Sequence, residues 1–85
     1  MNPRIYVGGL ATSITDMRLR ELCAPYGTVT SACLVRSKIT GQPFGYGFVE
    51  MKSREEAKGV IMALSGTRLE GERLDVFSMP GSSLA

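Results

Sequence analysis

Residues 43–51 read PFGYGFVEM, and this stretch limits the fold more than any other in the chain. Phe44, Tyr46 and Phe48 recur at every second residue, with Gly45 and Gly47 between them. Successive side chains of a β-strand point to opposite faces, so the spacing puts three aromatic rings on one face and almost nothing behind two of them. Whether that face is core or surface depends on what the rest of the chain can lay against it.

The chain has 85 residues, enough for a single domain with a thin core: about 60 % of the unfolded surface is buried at this size. We expect one domain over residues 1–80 and a short flexible tail over 81–85. Arg4 to Gly8 is a β-branched and aromatic run that predicts a first strand. Thr15 is placed to cap a helix in which Leu19, Leu22 and Cys23 share one face, and Pro25 and Gly27 mark its end. Thr28 to Arg36 predicts a second strand, 37–43 a loop, and Phe44 to Lys52 the third strand. Ser53 with Glu56 forms a capping box ahead of a second helix striped by Ala57, Val60, Ile61 and Leu64. A tight turn at Glu70 and Gly71 leads to a fourth strand over Arg73 to Ser78.

The order βαββαβ implies an α+β, ferredoxin-like fold: a four-stranded antiparallel sheet with both helices on one face. The other face is left open. Alternation assigns Ile5, Val7, Ala32, Leu34, Val49, Met51, Leu74 and Val76 to the helix side, an aliphatic set that matches the helical stripes. Tyr6, Phe44, Tyr46, Phe48 and Phe77 fall on the open side, five of the six aromatic residues in the chain. Rings meant for burial would be shared with the helix side, which has none. Gly45 and Gly47 look toward the helices, where a missing side chain lets backbone approach closely. Exposed rings on a sheet suit unpaired bases, because every base has a π-face.

Two segments then resemble the RNA recognition motif family. Phe44 to Met51 is similar at six of eight positions to the family's longer signature, K/R-G-F/Y-G/A-F-V-x-F/Y, and departs from it at Phe44 and Met51. Ile5-Tyr6-Val7-Gly8-Gly9-Leu10 resembles the shorter signature of the first strand, with Gly9 where Asn is common. In length and layout the chain resembles the small single-domain members found in bacteria. The resemblance implies that Tyr6, with Tyr46 or Phe48, stacks two or three bases of single-stranded RNA. It also implies a phosphate-binding cation at position 44, where this chain has Phe44, a further candidate ring. Phe77 is another, with cover by the tail as its alternative.

Ten Lys and Arg against eight Asp and Glu give a net charge of +2, so charge alone names no partner. Arg4, Arg36, Lys38, Lys52 and Arg73 are the candidate phosphate contacts at the rim of the ring patch. Catalysis finds no support: His is absent, Asn2 is the only Asn, and no nucleophile stands beside a base. Cys23 and Cys33 show no CxxC spacing, which argues against metal carriage and for reduced thiols in a cytoplasmic protein. No cofactor, small-molecule substrate or membrane segment is expected. The competing expectations are single-stranded DNA, a protein partner or a weak dimer on the same fold.

Overall fold

The computed structural model describes residues 2–79, so the tail expected over 81–85 and the first and last residues of the expected domain lie outside the described residues. Five elements form where the local chemistry predicts them, to within a residue or two. They are β1 (Arg4–Gly8), α1 (Asp16–Cys23, extended by a 3₁₀ turn at Ala24–Tyr26), β2 (Val29–Arg36), β3 (Pro43–Met51) and α2 (Arg54–Leu64). Thr15 Oγ1 accepts the Arg18 N–H at 3.1 Å, and Ser53 Oγ accepts the Glu56 N–H at 3.2 Å, so each helix starts on a side-chain cap.

The last expected strand, Arg73 to Ser78, is cut in two at Leu74, and its first residue belongs to a separate hairpin. β4 (Arg68–Leu69) and β5 (Glu72–Arg73) pair as a small hairpin through Glu70 and Gly71, whose φ values of 52° and 83° fit a tight type I′ turn. β6 (Asp75–Ser78) alone joins the main sheet. Leu74 makes the break. Its N–H donates to the Thr67 carbonyl at 2.8 Å and its carbonyl accepts the Gly66 N–H at 2.9 Å, so its backbone is tied to the loop after α2 instead of to β1. Gly9, at φ 77°, turns the end of β1 away at the same level, and the Arg73 carbonyl fills the space a side chain there would need.

The four-stranded sheet runs β2-β3-β1-β6, antiparallel throughout, with β1 and β3 central: the ferredoxin-like arrangement. Ile5, Val7, Leu34, Val49, Met51, Leu74 and Val76 meet Leu19, Cys23, Ala57, Val60 and Leu64 of the helices in one aliphatic core. Ala32 is only half-buried. Gly47 is buried where β3 crosses behind β2 and α1. A side-chain carbon there would stand 2.5 Å from the Cys33 carbonyl oxygen, 3.1 Å from the Leu34 Cα and 3.2 Å from a Leu19 methyl. Both helices thus pack on one face of the sheet, and the other is free to carry the site.

Candidate nucleic-acid interface

Register decides which side chains of the open face can touch. β1 pairs Tyr6 with Phe48 and Gly8 with Tyr46 on β3, and Tyr6 with Phe77 and Gly8 with Asp75 on β6. Cross-strand partners lie within ring contact of one another. Tyr6 is therefore the hub of the face: its ring centroid is 4.6 Å from Phe77, 5.6 Å from Tyr46 and 6.1 Å from Phe48. Phe44 joins through Tyr46 at 6.4 Å. All five rings expected on this face form one connected cluster. Phe44 and Phe77, at its two ends, are 59 % and 50 % exposed.

Tyr6 takes its position because of a residue that sequence reasoning passed over. A side-chain carbon on Gly8 would lie 2.7 Å and 2.8 Å from the Tyr6 ring carbons Cε1 and Cζ, so the ring leans along β1 over the bare backbone of Gly8. A glycine two residues after a strand aromatic, on the same face, is the signal that could have found it. Cys33 is the cross-strand partner of Phe48, a free and exposed thiol at the margin of the cluster.

The expected cations divide. Arg4 stays with the rings: its guanidinium carbon is 5.6 Å from the Phe48 centroid and its Nη2 is 3.6 Å from Glu50 Oε2. That is a cation over a π-face, with its charge shared by a carboxylate. Arg36 does not join them. It has the strand parity of Leu34, and its Nη2 reaches 3.9 Å from Asp16 Oδ1 at the start of α1, on the helix side. The same Asp16 oxygen accepts the Leu34 N–H at 2.8 Å. Arg73, placed on the sheet by its sequence, belongs instead to the hairpin, where its guanidinium passes beside Gly66. Lys38 is exposed in the 37–42 connection and Lys52 is exposed just after β3. Among the described residues no group of three His, Cys, Asp or Glu could hold a metal ion.

A family model described as the RNA recognition motif matches residues 5–75. RbpA of Nostoc sp., a protein named for RNA binding, is 44 % identical over 72 residues, which cover 85 % of this chain and 71 % of RbpA. The crystal structure of RNA binding protein PG1 superposes with a TM-score of 0.89 at 35 % identity, covering 92 % of this chain and 94 % of that one. A Sex-lethal protein in complex with RNA has a TM-score of 0.84 at 36 % identity, over 89 % of this chain and 47 % of that one. Other curated relatives are longer, and this chain spans only 23 to 36 % of several of them.

Proposed function

The chain belongs to the RNA recognition motif family, and from that premise we propose that it binds single-stranded RNA on the open face of its sheet, stacking unpaired bases on the aromatic cluster. One observation carries the reading. Five rings are joined edge to face or plane to plane on the sheet face opposite the helices, while the buried core between sheet and helices contains no aromatic residue. Tyr6, Tyr46 and Phe48 are the principal stacking rings, and Phe44 and Phe77 extend them. Arg4 and Lys38 are the proposed phosphate contacts. Arg36 can contribute only by leaving Asp16, and Arg73 only from the hairpin. The role is binding without catalysis. We place it in the cytoplasm, where Cys23 and Cys33 would stay reduced.

The test is the double variant Tyr46→Ala, Phe48→Ala, read by fluorescence anisotropy with a short labelled single-stranded RNA and by circular dichroism for the fold. Both rings are only half-buried and neither belongs to the aliphatic core, so the variant should fold. Stacking contributes about 1 to 3 kcal/mol per base, so loss of two rings should abolish measurable binding. Retained affinity would mean that RNA is held by residues other than these two rings, and a folded wild type that bound no RNA would direct attention to a protein partner. The same oligonucleotide made as DNA separates the sugars, because stacking alone does not read the 2′-OH.

A further inference from the structure

Four of the five rings stand in a single row. From Phe77 through Tyr6 and Tyr46 to Phe44, successive planes are inclined by 23°, 28° and 18°, whereas Phe48 is turned 64° and 82° from Tyr6 and Tyr46. Separation grows along the row, from 4.6 Å to 5.6 Å to 6.4 Å between centroids. A base slipped between two parallel rings needs them roughly 7 Å apart, twice a van der Waals contact of about 3.5 Å. The Phe77–Tyr6 pair is closed and the Tyr6–Tyr46 pair is well short of that spacing. The Phe44–Tyr46 pair is the most nearly parallel of the three and has the widest centroid separation, 6.4 Å.

The backbone between these two rings is irregular and held in place. Between Phe44 and Tyr46 stands Gly45 at φ 88°, a conformation that suits glycine and strains other residues. Here β3 bulges: Leu34 pairs with Gly47 and Arg36 with Pro43, so β3 spends four steps where β2 spends two. The bulge is held from the other side, where the Leu10 N–H donates to the Gly45 carbonyl at 2.8 Å. Phe44 is 59 % exposed at the end of the row, so it can give the last few tenths of an ångström without disturbing the core.

We propose that Phe44 and Tyr46 form a base clamp, taking one unpaired RNA base between their two rings in addition to the bases stacked elsewhere on the face. This rests on the RNA-binding reading and sharpens it. The position where the family signature has a phosphate-binding cation becomes half of a π-sandwich. The clamp accepts any base by its face, and its strength depends little on salt.

The experiment measures affinities of oligoadenylates three to eight nucleotides long for the wild type and for Phe44→Ala, Phe44→Tyr, Phe44→Lys, Tyr46→Ala and the Phe44/Tyr46 double-alanine variant. Each series is run at low and at high salt. Phe44→Ala should lose about 5- to 150-fold at both salt concentrations, from the stacking range of 1 to 3 kcal/mol, and reach its full affinity on an oligonucleotide one residue shorter. Phe44→Tyr should keep wild-type affinity, and Phe44→Lys should recover affinity at low salt only. One base touching both rings requires Phe44→Ala and Tyr46→Ala to be non-additive. Additive losses, or a Phe44→Ala protein within twofold of wild type with unchanged length dependence, would overturn the clamp alone. A folded wild type that binds no RNA of any length would overturn the RNA reading together with it.

Discussion

At the scale of single residues, two glycines of the same sheet should behave in opposite ways when given a methyl group. The carbon added in Gly8→Ala meets the movable end of Tyr6, so the ring must shift off its bed while the core stays as it is. RNA affinity should fall about fivefold or more, by at least 1 kcal/mol of stacking, with thermal stability nearly unchanged. The carbon added in Gly47→Ala meets the backbone of Cys33 and Leu34, which cannot move aside. Overpacking of this kind costs about 1 to 3 kcal/mol, so its urea midpoint should drop while the protein that remains folded binds as before. A Gly8→Ala protein that lost stability but kept RNA would mean that Tyr6 is not held by that contact. The two cysteines divide similarly. Cys23 is fully buried in the core, and burial pushes its thiol from 9.0 up to about 11. The raised value means that its contribution to stability is complete below about pH 9 and is lost as the pH climbs through about 11. Iodoacetamide at pH 8 should therefore modify one thiol in the native protein, the exposed Cys33, and two in urea; mass spectrometry counts them. Because Cys33 faces Phe48, the singly modified protein should also bind RNA more weakly.

At the scale of elements, the start of α2 does more than its capping box foretold. Glu56 accepts the Ser53 hydroxyl at 2.8 Å, and its other oxygen accepts the Thr28 N–H at 3.0 Å. One carboxylate therefore fastens the second helix to the entry of β2, and the bond from Thr28, reinforced by that from Ser53, holds its pKa below the usual carboxylate value. A depressed value places the contribution above that usual value and removes it as the pH falls through the lowered one. Glu56→Ala should melt at a lower temperature than wild type at pH 7, with the gap narrowing in strong acid; an equal gap at both extremes would rule out the charge as its source. Local signals of this kind were readable in the sequence, as were both helices, the four sheet strands and the division of rings from aliphatics, because each depends on a period or a cap within a few residues. The split at Leu74 was not. It follows from hydrogen bonds to Thr67 and Gly66 across the hairpin, and no alternation within Arg73 to Ser78 announces them. Arg73 was misplaced for the same reason, and Arg36 because its true partner, Asp16, is twenty residues earlier in the chain.

At the scale of the whole molecule, a fold with helices on one side of its sheet must leave the other side to solvent, and this chain fills it with rings that shelter one another. Their mutual stacking makes an apolar surface tolerable without a second layer of structure. Charge plays a smaller part. The net charge is only +2, and the arginines nearest the site are already engaged: Arg4 with Glu50 and Phe48, Arg36 with Asp16. Asp75 and Glu50 also stand on the strands of the ring face and oppose a polyanion. Binding should then be driven by π-surface more than by counterion release. For a single strand the slope of log K against log salt is about −0.7 per phosphate neutralised, so two or three contacts give a slope near −2. Titrating salt against a labelled single-stranded RNA should return a value in that region, and Arg4→Ala should make it shallower by less than one such contact, since Glu50 already offsets part of that charge. A slope of −4 or steeper would mean six or more phosphates neutralised. Affinity would then come from the rim, and the rings would only orient bases already held by their backbone.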